Sequence, residues 1–260
     1  MYNDLHDVGA VVLSAGKGTR LGVTDKPKVM YTIGEKPMVS FIVDTLILLG
    51  FSHKQICLVV GFGQQIVRDY FDDKVSYAIQ EQQKGTAHAA YTGMKTLSPA
   101  VEHVLVVAGD DSAFYSADTI AHFISQHKKS RAVLSLLSVY TEHPEQLGRI
   151  VRRANGLIEI IEKEYVTEAQ KNISEVSTGT FMFNRQWFET MYPHMPPLRR
   201  INEYGLPTSL SMAQSEGLSY QIISLKNPDE WFGVNTPEEL KEADRRKSAE
   251  LHSATIKLDE

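Results

Sequence analysis

The sequence predicts an α/β fold, a mostly parallel mixed sheet with helices on both faces. Three observations predict it. Short apolar runs alternate with amphipathic stretches from Val8 to Tyr140. Those runs are nearly unbroken, as expected of strands buried on both faces. The first run leads at once into a glycine-rich loop, and an open α/β sheet receives its ligand beyond the carboxyl ends of its strands.

The elements follow in order. Val8–Ser14 reads as a strand, Pro37–Leu49 as a helix, Ile56–Val60 as a strand and Gln64–Phe71 as a helix. Val75–Ile79 is a strand, Thr86–Leu97 a helix, His103–Ala108 a strand, Ala117–Lys128 a helix and Ala132–Tyr140 a strand. After residue 146 the pattern changes. Arg149–Arg153 and Leu157–Glu162 flank Asn155-Gly156, a hairpin signal. Val176–Phe183 is a strand rich in β-branched and aromatic residues, Trp187–Met191 and Tyr204–Ser215 are helical, and Ser219–Leu225 is a strand. Pro237–Leu251 is a charged helix opened by Thr236 as N-cap with Pro237 at its first position. This second half reads as mixed α+β that completes the same sheet and covers one end of it. All 260 residues are expected to form one domain.

With 27 basic and 32 acidic residues, the net charge of −5 argues against nucleic acid or an anionic membrane as main partner. A cationic site for an anion must therefore be local. The single cysteine, Cys57, excludes an intrachain disulfide and a zinc site of several thiolates, and reads as a small core residue. No apolar run approaches about 18 residues. Asp4 and Asp7 precede the first run where a signal peptide would be basic, so a cytoplasmic protein is expected.

Leu13-Ser14-Ala15-Gly16-Lys17-Gly18-Thr19-Arg20-Leu21-Gly22 follows the first strand. Its glycines allow backbone to approach a bulky anion, and exposed N–H groups can cradle phosphate. Arg20 adds a permanently charged planar fork. The spacing fits neither standard phosphate loop. Gly22 comes one residue late for the dinucleotide fingerprint, and no glycine lies five residues before Gly16 as a P-loop requires. Pro27 fixes the backbone before Lys28, which can stand as a point charge. A plain turn is the alternative for each stretch.

Four later stretches carry further chemistry. Gln80 ends a strand and offers both donor and acceptor to a base edge, while Gly85-Thr86 opens a helix with free N–H groups. Asp110 ends a buried strand, where a carboxylate is costly without a partner, and a divalent cation is the natural one. It could equally cap the next helix. Gly148 permits close approach to backbone, and Glu162 could accept from sugar hydroxyls or simply balance hairpin charge. Asn235, just before the last helix, is a plausible neutral metal ligand and also a plausible turn residue.

Gly16-Lys17-Gly18-Thr19-Arg20-Leu21 followed by Pro27-Lys28 resembles the signature of the sugar-phosphate nucleotidyltransferases, the nucleoside-diphosphate-sugar pyrophosphorylases. Within that family it is most similar to the uridylyltransferase domains of the bacterial N-acetylglucosamine-1-phosphate uridylyltransferases. The later stretches occur in the family's order and carry the resemblance from residue 9 to about residue 240. It implies a Rossmann-like nucleotide-diphospho-sugar transferase fold with a nucleotide-binding half, 1–146, and a sugar-binding half, 147–260. It implies nucleotide contacts from Leu13, Ala15, Gly16, Gly18, Thr19, Gln80, Gly85 and Thr86. Sugar contacts would come from Gly148, Glu162, Ser177, Thr178 and Gly179, and magnesium would sit on Asp110 and Asn235.

The implied reaction is attack by a sugar 1-phosphate oxygen on the α-phosphorus of a nucleoside triphosphate, UTP for the branch resembled, with loss of pyrophosphate. The nucleophile is already an anion, so positioning and charge stabilisation suffice. Arg20 would serve the β,γ-phosphates and Lys28 the α- and sugar phosphates. Three departures stand out. Ala108 replaces an aromatic, Ser177 replaces an asparagine, and the interval from Arg20 to Lys28 is one residue longer. The first two lie near the sugar in the family, so the sugar is left open. Asp111 receives no role. No hexapeptide repeat of an acetyltransferase β-helix occurs, and no such domain is expected. A cytidylyltransferase for a small phospho-alcohol, a nucleotide-binding regulator without turnover and a Rossmann dehydrogenase are the alternatives, the last disfavoured by the glycine spacing.

Overall fold

Successive residues of the first strand, β1 (Val8–Leu13), are buried on opposite faces. Val8, Ala10 and Val12 join one apolar cluster, and Val11 joins another. The first cluster takes Val39, Ile42 and Leu46 together with Phe123 and Ile124; the second takes Ala87, Ala90 and Met94 together with Phe188 and Leu210. One strand thus requires helices on both sides, as its unbroken hydrophobicity implies.

The structure, a computed structural model, describes residues 5–22, 25–144, 147–198 and 202–256. After β1 come β2 (Thr32–Ile33), β3 (Lys36–Pro37), α1 (Met38–Leu48), β4 (Ile56–Val60), α2 (Gln64–Phe71), β5 (Ser76–Ile79), α3 (Thr86–Met94), β6 (His103–Ala108) and α4 (Ala117–Ser130). Then follow β7 (Leu134–Tyr140), β8 (Arg149–Arg152), β9 (Ile158–Ile161), β10 (Glu175–Asn184), α5 (Arg185–Met191), α6 (Thr208–Ser215), β11 (Tyr220–Ser224) and α7 (Pro237–Ile256). The main sheet has the order β11-β7-β10-β6-β1-β4-β5, and the β8–β9 hairpin joins it through β10. On that path only β10 runs against its neighbours, antiparallel to both β6 and β7. The mostly parallel α/β sheet expected from the sequence is therefore present.

β1 pairs in parallel with β4 on one side and with β6 on the other. The chain winds outward from β1 to β5 and then returns to β6, so β1 and β6 flank the topological switch point. Beyond their carboxyl ends lie the glycine-rich loop and Gly109-Asp110. A third apolar cluster braces that crevice. It joins Leu21 of the loop, Ala113 and Phe114 after the aspartates, Val234 before Asn235 and Ala243 of α7.

Several expected bounds shift for local reasons. The helix expected from Tyr204 begins at Thr208. Gly205 and Pro207 interrupt it, and the Tyr204 backbone is committed elsewhere: its N–H donates to the Lys84 carbonyl at 2.7 Å and its carbonyl accepts from Ala87 N at 2.8 Å. The helix expected to reach Leu97 stops at Met94, and its tail tightens as Leu97 N donates to the Met94 carbonyl at 3.1 Å. Asn155-Gly156 does turn the β8–β9 hairpin; Gly156 N donates to the Arg153 carbonyl at 3.0 Å with φ 84°. The β2–β3 pair, of two residues each, was not expected. Residue 146, the expected boundary between halves, lies outside the described residues. Cys57 is fully buried, and burial pushes its thiol up to about 11. Among the described residues, no helix is long and apolar enough to cross a membrane.

Candidate functional site

The glycine-rich loop leaves β1 with its backbone tied to both neighbouring strand ends. The Leu13 carbonyl accepts from Gly109 N at 3.0 Å, and Ser14 N donates to the Val59 carbonyl at 2.9 Å. The Ala15 carbonyl accepts from Gln83 Nε2 at 2.7 Å, which joins this loop to the one before α3. Gly16 is exposed, with no heavy atom within 4 Å of where a Cβ would stand, and the neighbouring Lys17 and Thr19 are exposed too. Gly18 has φ 68°, and a Cβ there would stand 2.7 Å from Lys28 Cβ. The lysine stem packs on the loop at the one residue type that allows it. Thr19–Leu21 forms a single 3-10 turn anchored by buried Leu21. The Arg20 side chain lies outside the described residues.

Lys28, only 8 % exposed, opens a 3-10 turn after Pro27. Its Nζ donates to the Asp110 carboxylate and, at 3.0 Å, to Asn235 Oδ1. Asn235 is held from behind. Its N–H and that of Thr236 donate to Glu239 Oε2 at 2.5 and 2.9 Å, and Glu239 N donates to Thr236 Oγ1 at 3.2 Å. This is a reciprocal capping box at the start of α7. Asp111 is half-buried beside Gly233, where an added Cβ would stand 3.3 Å from its Oδ1.

A carboxylate and an amide carbonyl thus converge on one positive centre, here the lysine ammonium. Two hard oxygen donors reaching a single cation fit a magnesium ion, which takes one or two protein ligands and completes its shell with water and phosphate. A second acidic group, Asp7, Glu102 and His103, lies at the opposite ends of the same strands, with donor atoms within 4.8 Å of one another. Lys128 Nζ lies 2.6 Å from Asp7 Oδ1 and is the cation there.

Near the amino end of α3, Gln80 is 5 % exposed. Its Nε2 donates to the Gly85 carbonyl at 3.1 Å and meets His88 Nδ1 at 3.0 Å. Gly85 has φ 100° and ψ 176°, a region essentially confined to glycine. A Cβ there would also stand 2.5 Å from the Tyr204 carbonyl oxygen. Thr86 Oγ1 accepts from Leu206 N at 3.0 Å, so its hydroxyl ties α3 to the segment before α6.

The expected sugar residues gather where β8, β9 and β10 meet. Ser177 N donates to the Gly148 carbonyl at 3.0 Å, and a Cβ on Gly148 would stand 3.6 Å from Glu162 Oε2. Burial pushes the Glu162 carboxyl above its ordinary range, and the charge of Glu164 pushes it further. Gly179, with φ 74°, lies in the register shift of β10 between Ser177 and Phe181. Thr178 differs from its neighbours. It is buried, its hydroxyl donates to the Leu137 carbonyl at 2.8 Å, and its carbonyl accepts from Trp231 Nε1 at 3.2 Å. Its side chain therefore serves the sheet. A cleft of about 570 Å³ lined by Tyr140, His143, Leu147, Trp231, Gly233 and Asn235 opens beside Asn235.

The model of the nucleotidyl transferase family matches residues 9–249. The chain belongs to the nucleotidyl transferase family. It is 32% identical over 249 residues to the bifunctional protein GlmU of Halalkalibacterium halodurans, covering 95% of this chain and 54% of that one. To GlmU of Bacillus cereus it is 33% identical over 239 residues, covering 90% and 50%. The chain thus spans about half the length of the curated relatives it matches. Its fold is similar to a crystal structure described as a glucose-1-phosphate thymidylyltransferase from Bacillus anthracis in complex with a sucrose. The TM-score is 0.75 with 18% identity, covering 93% of this chain and 95% of that one.

In this nucleotidyl transferase several residues that build the site escaped the sequence reading. Glu239 was signalled, since Thr236-Pro237-Glu238-Glu239 has capping-box spacing. Arg149 was not. It is 2 % exposed, and its guanidinium donates to the Pro144 carbonyl and, at 2.5 Å, to the Leu147 carbonyl, fixing the backbone that leads into Gly148. Gln83, His88 and Tyr204 likewise act through partners distant in sequence.

Proposed function

We propose that the chain transfers UMP from UTP to a sugar 1-phosphate and releases pyrophosphate, with magnesium held by Asp110 and Asn235. The observation that carries this reading is the convergence of Lys28, Asp110 and Asn235 beyond the carboxyl ends of β1 and β6. The N–H groups around Gly16 and Gly18, with Arg20, grip the β,γ-phosphates. Gln80 and Gly85 meet the uracil edge. Gly148, Glu162, Ser177 and the Thr178-Gly179 backbone hold the sugar, with Glu162 accepting from hydroxyls. Lys28 faces the α-phosphate and the incoming sugar phosphate, where negative charge crowds as the new P–O bond forms. The sugar phosphate oxygen attacks as an anion, so no side chain need remove a proton. When bound, magnesium supplies charge neutralisation at the phosphate oxygens. We read the chain as a cytoplasmic enzyme, with no role for nucleic acid or membrane.

The test is a pyrophosphate-release screen of UTP, CTP, dTTP and ATP against a panel of sugar 1-phosphates and small phospho-alcohols, with pyrophosphatase and a phosphate dye. The reading expects the highest kcat/KM with UTP and a hexose 1-phosphate. Release only with CTP and a phospho-alcohol would replace it by the cytidylyl reading. No release with any sugar 1-phosphate would remove it.

A further inference from the structure

Both hydrogens of the Gln80 amide are assigned by their surroundings. The Gly85 carbonyl can only accept, so the atom 3.1 Å from it is Nε2. The second hydrogen of that nitrogen meets His88 Nδ1 at 3.0 Å. The ring must therefore accept at Nδ1, which it does only as the neutral tautomer carrying its proton on Nε2. No hydrogen bond engages Gln80 Oε1 among the described residues, so a carbonyl oxygen is the group left to a ligand. Uracil offers an N3–H donor at its pairing edge, whereas cytosine offers an N3 acceptor. A carbonyl there suits the first and repels the second.

We propose that His88 is a positioning residue for base selection: its neutral ring holds the Gln80 amide with Oε1 outward, and protonation of the ring turns the amide over. A protonated ring carries N–H at Nδ1, which faces Nε2 donor to donor. Rotating the amide by half a turn relieves that clash and presents Nε2 outward, a donor that matches cytosine and opposes uracil. The rotated amide also loses its bond to the Gly85 carbonyl, so the change is confined to protonated enzyme. The proposal rests on the uracil reading above.

Groups around the ring favour the neutral form. Partial burial lowers the imidazole pKa from its ordinary value, and repulsion from Lys84 in the loop before α3 and from Lys95 just past its carboxyl end lowers it further. Tyr192 packs with its ring centroid 6.4 Å away, and Tyr91 and Tyr204 line the same pocket. Glu81 shares the opening on the other side with Lys84, and no shift of the imidazole comes from it. His88 is absent from the lysine–aspartate cluster, so its titration leaves that chemistry alone.

The experiment measures kcat/KM for UTP and for CTP with one sugar 1-phosphate from about pH 8 to about pH 5.5. Both nucleotides carry the same triphosphate, so metal and phosphate titrations cancel in the ratio. The UTP:CTP ratio is expected to fall about tenfold or more as His88 protonates. His88→Asn, whose amide oxygen can accept in place of Nδ1, should keep the ratio and lose its pH dependence. His88→Ala leaves the Gly85 carbonyl alone to orient the amide, so it should show a ratio below that of the wild type at pH 8 and without pH dependence. A parallel ¹⁵N NMR spectrum of the unliganded protein should show the His88 ring protonated on Nε2 at neutral pH. A ring protonated on Nδ1 there, or a wild-type ratio that stays constant and survives in His88→Ala, overturns the proposal. A wild-type enzyme that prefers CTP at pH 8 instead sinks the uracil reading, and the NMR tautomer still judges His88.

Discussion

Lys28 and Asp110, 82 residues apart, share a part-buried ion pair that Asn235, 207 residues from Lys28, completes through its side-chain carbonyl. A lysine read from sequence as a phosphate ligand is thus the hydrogen-bond partner of the two residues read as metal ligands. One cationic group therefore neutralises the Asp110 carboxylate, while the neutral Asn235 carbonyl accepts from it without adding charge.

Lys28 and Arg20 should separate in kinetics. Lys28→Met keeps a stem to pack on Gly18 and removes the charge. Its expected effect is a loss of about 10²–10³ in kcat, because the charge acts where negative charge develops. Arg20→Ala should also raise KM for the triphosphate, since β,γ-phosphates are charged before reaction. Steady-state kinetics of both variants, with folding checked by circular dichroism, decide it. A folded Lys28→Met enzyme with near-normal kcat would reduce Lys28 to a structural counter-charge of Asp110.

Asp110 and Asn235 should fail together in metal response. EDTA is expected to abolish turnover and added magnesium to restore it. Asp110→Asn should need a much higher magnesium concentration and lose more than about 10² in rate, and Asn235→Ala should shift the same titration by less, losing a neutral ligand. Activity that survives EDTA, or variants with unchanged magnesium curves, would break the link between this oxygen pair and a metal.

The part of this site legible in the sequence is the part made by contiguous residues. Gly16–Arg20, Asp110 and Asn235 stand where strand ends and helix starts put them, and hydrophobic periodicity located β1, β4, β6 and α2 closely. What escaped depends on distant partners. Tyr204 leaves its helical pattern because its backbone bonds to Lys84 and Ala87. Thr178 stands in a polar run, yet its hydroxyl is claimed by the Leu137 carbonyl across the sheet. The direction of β10 was not readable from composition, since a strand buried between β6 and β7 has the same apolar pattern whichever way it runs.

Glu162 should give the sugar end of the site an acidic limb. Its carboxyl is raised by burial and by Glu164, so it takes up its proton above the ordinary carboxylate range as pH falls. Protonation removes an anionic acceptor for sugar hydroxyls. KM for the sugar 1-phosphate is expected to rise on that limb while KM for UTP holds. Glu162→Gln should have a KM raised roughly 10- to 100-fold at neutral pH and flat across the limb. Measuring both Michaelis constants against pH tests this; a variant with the wild-type sugar KM would take Glu162 out of the site.

His127 makes the fold itself pH-sensitive, far from the candidate site. It lies on α4, fully buried, with Nδ1 2.8 Å from Ser135 Oγ and its ring edge-on to His103 at 5.1 Å. Burial, with a smaller push from His103, lowers its pKa to about 3, whereas an unfolded histidine titrates near ~6.5. The folded value is the depressed one. Its stabilising effect is therefore complete above the unfolded value and is lost progressively as pH falls from about 6.5 towards about 3, because only the unfolded chain takes up the proton. Between about pH 7.5 and about pH 5 this one group accounts for a loss of about 2 kcal/mol. His127→Gln retains a polar group opposite Ser135 and cannot titrate. It should be less stable than wild type at pH 7.5 yet lose about 2 kcal/mol less on going to pH 5. Urea unfolding of both proteins at both pH values gives the four free energies required, and only the difference of differences matters. If the two proteins lose stability in parallel, then another group drives the acid sensitivity and His127 is not held neutral by its burial.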